Sequence, residues 1–174
     1  MKIISHRGNI RGPVPDRENR PSYIDCAIGN GYDVEIDVRL IDSDLWLGHD
    51  EPQYKVDHNW LDKRKDYLWI HCKNIEAAKE CLIYQSFCHT QDPFTYTSNG
   101  KIWLHDLSMK IDENVIIPLI DDIDIKKYKD FSMVFGICTD YPIRYNKGVV
   151  DFVEHFYEKN YRVVHVSKIL QRYG

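Results

Sequence analysis

The stretch from Tyr32 to Glu51 constrains this fold more than any other. Val34, Ile36 and Val38 alternate with Glu35, Asp37 and Arg39. A two-residue period marks a β-strand, and next neighbours on one strand face stand about 7 Å apart. Glu35 and Asp37 therefore share a face. Two carboxylates so placed are costly unless positive charge lies between them, so a metal ion or a salt-bridge network is expected there. The strand then reverses through Ile41, Asp42, Ser43 and Asp44 into Leu45-Trp46-Leu47, and stops at Gly48-His49-Asp50.

Other elements follow from local signals. Residues 2–5 read as a strand ending at His6-Arg7-Gly8, and Gly12, Pro13 and Pro15 make the next segment a loop. Asn19 or Arg20 caps a helix with Pro21 in its first turn. Ile24, Ala27 and Ile28 form its buried stripe, and Gly29-Asn30-Gly31 stops it. Residues 68–73 are a strand. Asn74 caps a helix to about residue 84, with Ile75, Ala78 and Leu82 facing inward. Residues 86–90 are a strand carrying His89. Ser98-Asn99-Gly100 joins two runs as a hairpin. Strands follow at 115–120 and 133–138, the first ending at Asp121 and the second at Thr139-Asp140-Tyr141-Pro142. Helices are expected over 125–129 and 148–158, then a strand at 162–166 and a closing helix.

Strands alternating with helices predict βα units and a mainly parallel sheet. His6, Asp37, His71, Lys73, His89, Asp121 and Asp140 all fall at strand C-termini. Parallel barrels place their chemistry there, and so do open doubly wound sheets. Neither G-x-G-x-x-G nor a Walker loop occurs. His58, His105, His155 and His165 read as structural, Asp140 as a turn residue, and Tyr96, Trp103 and Tyr141 as packing.

The 174 residues suffice for one domain, taken as residues 1–174. A net charge of −4 argues against a nucleic-acid partner. No apolar run reaches the roughly 18 residues of a membrane span. Met-Lys-Ile-Ile-Ser-His leaves no room for a signal peptide before the first strand. The five cysteines are scattered without a CxxC pair, which favours reduced thiols in a cytoplasmic protein.

With these residues in view, the chain resembles the glycerophosphodiester phosphodiesterase family of phospholipase-C-like barrels. His6-Arg7-Gly8 looks like the family's HRG and Glu18-Asn19 like its E-N. Glu35-Ile36-Asp37 looks like its E-x-D, His49-Asp50 like its H-D, and Thr139-Asp140-Tyr141-Pro142 like its T-D-x-P. The pieces occur in the family's order over most of the chain. The resemblance implies an α/β fold of TIM type and hydrolysis of a small-molecule phosphodiester. By position, His6 and His49 would be the general acid and base. Glu35 and Asp37 would hold a divalent metal, with Glu18 a further carboxylate, and Arg7 and Lys73 would face the phosphate. Oxygen ligands favour Mg²⁺ or Ca²⁺.

Two departures from the family pattern matter. Its usual E-x-K is here His71-Cys72-Lys73, so imidazole replaces a carboxylate ligand and Mn²⁺ or Zn²⁺ enters consideration. His89 would join this end of the sheet at the substrate. The chain is also shorter than the roughly 200 to 250 residues of a complete barrel. A trimmed TIM-type (β/α) barrel of seven or eight mainly parallel strands, with some outer helices missing, is therefore expected. Its exposed flanks would favour a homodimer. A lyase stopping at a cyclic phosphate and a silent phosphate- or glycan-binding barrel are the competing readings.

Overall fold

The structure, a computed structural model, describes residues 1–120 and 133–145. Asp121, both helices expected over 125–129 and 148–158, the strand at 162–166 and the closing helix lie outside these residues. Residues Met1–Pro142 form one compact unit and Ile143–Gly174 a second.

Among the described residues the first unit contains three short α-helices, the last ending at Glu80, and ten strands. They are β1 (Lys2–His6), α1 (Pro21–Gly29), β2 (Asp33–Ile41), β3 (Asp44–Leu47), β4 (Tyr54–Val56), α2 (His58–Asp62), β5 (Leu68–Cys72), α3 (Ile75–Glu80), β6 (Ser86–Phe87), β7 (Phe94–Tyr96), β8 (Ile102–Leu104), β9 (Val115–Leu119) and β10 (Gly136–Thr139). All strands belong to one sheet, and its central run β6-β5-β2-β1-β10-β9-β8 is parallel throughout. The first half of β2 pairs with β1 and β5, while its C-terminal half carries the antiparallel β3. Strand β4 adds to β3, and β7 returns against β8 as the Asn99-Gly100 turn requires.

The alternation along β2 sorts two cores. Val34, Ile36 and Val38 face α1 and α3 together with Leu68, Ile70, Ile24 and Ala77. The opposite face gathers Ile4, Trp69, Phe87, Trp103, Ile116 and Cys138 from six different strands. Strands β6 and β8 stand at opposite ends of the parallel run, yet the Phe87 and Trp103 rings stack 4.3 Å apart. The sheet therefore curls until its ends face one another. Ser98 N–H donates to the Ser86 carbonyl at 2.7 Å beside this contact. Strand pairing does not close into a ring among the described residues.

Two local expectations are corrected. Helix α3 ends at Glu80 and tightens into a 3₁₀ turn at Cys81–Ile83. Ile75 and Leu82 lie outward, 64% and 65% exposed, while Ala77 and Cys81 are buried. The cause is the cap. Asn74 accepts from Ala77 N–H, and it also exchanges hydrogen bonds with both backbone groups of Leu40. Tied to β2, the helix turns the Ala77–Cys81 face to the sheet. The strands at 86–90 and 133–138 are also shorter or shifted, as the bounds of β6 and β10 show. Residues 105–114, between the parallel strands β8 and β9, contain no helix. Among the described residues no helix is long and apolar enough to cross a membrane.

Candidate functional site

Register assembles the site. Parallel pairing sets His6 beside Glu35 and Asp37 beside His71. Odd-numbered positions of β2 and β5 share the curled inner face, so Glu35, Asp37, His71 and the following Lys73 point the same way. His89 follows β6, His105 follows β8 and Asp140 follows β10.

Asp37 is fully buried at the centre. Arg7 Nε stands 3.0 Å from its Oδ2, His71 Nδ1 3.2 Å and Lys73 Nζ 3.6 Å from its Oδ1. Asn19 Nδ2 donates to Oδ2 and Asn19 Oδ1 accepts from Asp37 N–H, both at 2.9 Å. Burial alone would raise the Asp37 pKa, but His71, Arg7 and Asn19 hold it well below the usual carboxylate range. Glu35 moves the other way, raised by burial and by the neighbouring Asp37 charge. Arg7 and Asn19 both adopt positive φ, 54° and 61°, and Asn19 N–H donates to the Arg7 carbonyl. Such backbone costs about 1–3 kcal/mol per residue and persists only where surroundings impose it.

Glu35, Asp37 and His71 each present a ligand atom, and these atoms all lie within 4.8 Å of one another. Among the described residues Glu35 Oε2 accepts no hydrogen bond, and Asp37 Oδ1 has only its ion pairs with His71 and Lys73. These residues therefore fit a divalent cation. Glu18 stands outside the cluster, its oxygens taken by Arg7 Nη1 and Asn9 Nδ2 at 3.0 and 2.9 Å.

His6 Nδ1 is 2.8 Å from Asp140 Oδ1. A carboxylate only accepts, so Nδ1 carries the proton and Nε2 turns toward Glu35, 3.9 Å away. Burial lowers the His6 pKa, yet the Asp140 hydrogen bond and the Glu35 charge outweigh it, and the pKa is raised. Asp140 thus serves His6 and Asn9. The turn is bonded instead by Thr139 Oγ1, which accepts from Tyr141 N–H. From sequence, Asn19 reads only as a helix cap and Asp140 only as a turn residue, both inside family-like motifs, and Asn9 goes unremarked.

His49 lies in the loop after β3, its Nδ1 2.7 Å from Asp50 Oδ1, and burial lowers its pKa. Arg39 fixes this loop by donating to the carbonyls of Gly48, His49 and Asp50. Gly48 has φ +146°, and a Cβ there would run into the Glu51 carbonyl oxygen.

Two cavities open at this end of the sheet. The inner one, ≈ 210 Å³, is bordered by His6, Arg7, Glu35, His49, His71, His89 and His105 over Phe87, Trp103, Pro118 and Ile120. The outer one, ≈ 580 Å³, is bordered by His49, His71, Lys73, His89 and Asp92. His71 stacks on His89 at 5.0 Å, and His89 contacts His105 at 4.1 Å between ring centroids. Burial, then the neighbouring His105, His71 and Lys73, bring the His89 pKa down to about 4. His105, read from sequence as structural, in fact borders the inner cavity.

No family model, curated protein or solved structure matches this chain.

Proposed function

We propose that the chain is a metal-dependent phosphodiesterase with a trimmed, barrel-like parallel sheet, akin to the glycerophosphodiester phosphodiesterases. The observation that carries this reading is convergence. His6, Arg7, Glu35, His49 and His71, from the end of β1 and the residue after it, β2, β5 and the loop after β3, border one cavity. The Phe87–Trp103 stack between the ends of the parallel run supports the barrel.

Hydrolysis of a phosphodiester needs a proton removed from the nucleophile and one delivered to the leaving alkoxide. His49, with its Nδ1 proton held by Asp50, offers Nε2 as the base. His6, its charged form stabilised by Asp140 and Glu35, offers Nε2–H as the acid. As the nucleophile's oxygen bonds to phosphorus, its proton passes to His49. The leaving oxygen takes the His6 proton as its bond to phosphorus breaks. Arg7 and Lys73 attract the anionic diester. Glu35, Asp37 and His71 would hold the cation, which when bound polarises the phosphoryl oxygens. The imidazole donor favours Mn²⁺ or Zn²⁺ over Ca²⁺ in this set.

Turnover of bis-p-nitrophenyl phosphate with Mg²⁺, Mn²⁺, Ca²⁺ and Zn²⁺ in turn tests the proposal. His6→Ala and His49→Ala are each expected to lower kcat/KM by at least about 10²-fold. Saturating metal, at 100 times its Kd, is expected to stabilise the fold by about 2.7 kcal/mol, an effect lost in His71→Ala. Phosphodiester binding without turnover under any of the four metals would instead establish the silent binding barrel.

A further inference from the structure

We propose that Cys72, Cys81 and Cys88 form a redox relay beside the candidate site, in which Cys88 takes up the oxidising equivalents of hydrogen peroxide and a reversible Cys72–Cys81 disulfide holds them. Scattered in sequence, the three thiols are gathered by the fold. The β5–β6 register runs Ile70 to Ser86 and His71 to Phe87, and one further step sets Cys72 beside Cys88. Neighbouring strands stand about 4.8 Å apart, inside the roughly 4.4–6.8 Å between Cα atoms that a disulfide accepts. Both residues border the outer cavity, where Cys88 is exposed and Cys72 almost covered. Cys72 also shares a thiol hydrogen bond with Cys81, the buried first residue of the 3₁₀ turn after α3. Cys26 lies on α1, and Cys138 lies in the inner core. An accessible thiol next to one that can resolve it is the arrangement of a redox-sensing cysteine.

The steps balance. The Cys88 sulfur bonds to one peroxide oxygen, the O–O bond breaks, and a water leaves with a sulfenic acid on Cys88. The Cys72 sulfur then bonds to the Cys88 sulfur, and a second water departs. The Cys81 sulfur attacks Cys72, and Cys88 leaves as a thiol. Cys72 and Cys81 have together lost two protons and two electrons, which the peroxide carries off as water. The disulfide also acts on the candidate metal site, an effect that rests on the metal-dependent reading. Cys72 pairs with Val38 as its neighbour His71 pairs with Asp37. Cys81 packs in the core between sheet and helices, so the bond draws the end of β5 toward α3. His71 follows, away from Glu35 and Asp37. Metal ligation tolerates only about 0.2 Å, so oxidation loosens the cation.

Equimolar hydrogen peroxide added to the whole reduced chain, followed by alkylation and peptide mass mapping, tests the relay. The expected product is a Cys72–Cys81 cross-link, undone by dithiothreitol, with Cys26 and Cys138 alkylated. In Cys88→Ser, at an exposed position, the cross-link is expected to form at least about tenfold more slowly. In Cys81→Ala the relay is expected to stop at a Cys72–Cys88 cross-link. Should that variant fail to fold, the rate in Cys88→Ser decides. Cys72 recovered as a free thiol after oxidation, or an unchanged rate in Cys88→Ser, would overturn the relay. Calorimetric titration with Mn²⁺ alone gives the second readout. The cross-linked chain is expected to bind about tenfold more weakly than the reduced chain, the scale of a disturbed ligand orientation. Equal Mn²⁺ affinity in both forms would overturn the link to the metal site. A cross-link with Mn²⁺ bound by neither form would overturn the metal-dependent reading and leave the relay standing.

Discussion

Asp140 and Asn19 show how much of this site lies in residues that hold its central side chains in place. Asn19 gives up the helix cap to Arg20 and instead brackets Asp37 from two sides. Asp140 leaves the turn to Thr139 and holds His6. Under the proposed acid–base roles, opposite pKa shifts of the two histidines lead to a pH prediction. His49 must be neutral to accept a proton, so kcat/KM rises as pH climbs through its pKa, lowered from 6.5. His6 must be protonated to donate, so kcat/KM falls above its pKa, raised from 6.5. A bell-shaped profile for bis-p-nitrophenyl phosphate is the expected outcome. Asp140→Asn removes a charge that supports protonated His6, so the alkaline limb is expected to move to lower pH. An unmoved limb in that variant would sever His6 from the acid role.

The loop between β3 and β4 is the element on which the second histidine depends. Its path needs a left-handed residue at Gly48 and three carbonyls gathered on Arg39. Gly48→Ala puts a methyl group into Glu51 O, and a loss of at least about 1–3 kcal/mol in urea unfolding is expected. Arg39→Met keeps the side-chain length but frees the loop. Its expected signature is a kcat loss of tenfold or more with metal affinity unchanged, since the side-chain hydrogen bonds of Arg39 among the described residues go to the loop. Equal losses in metal binding would show that Arg39 supports the sheet rather than the loop. Helix α3 teaches a related lesson. Its start was legible from Asn74, but its buried face was not, because that face follows from the bonds between Asn74 and Leu40.

At the scale of the whole molecule, an inner core drawn from six strands holds the curl of the sheet. Trp103 is buried at its centre, against Phe87 and Trp69. Trp103→Ala is expected to cost about 3–5 kcal/mol, because it removes one wall of the inner cavity. Chemical unfolding followed by circular dichroism checks this loss. Retention of stability would mean that the two ends of the sheet are held elsewhere. The sequence by itself determined the mainly parallel α/β character, the shared face of Glu35 and Asp37, the Asn99-Gly100 hairpin and the polar residues at strand ends. These are local properties, written in side-chain period and turn chemistry. Only the tertiary structure decided which strands are neighbours, and therefore that His71 meets Asp37, that Asp140 meets His6 across 134 positions of chain, and that His105 faces the cavity rather than the core. Strand order and register are long-range choices, fixed by how the apolar faces pack. No local pattern records which buried strand lies beside which.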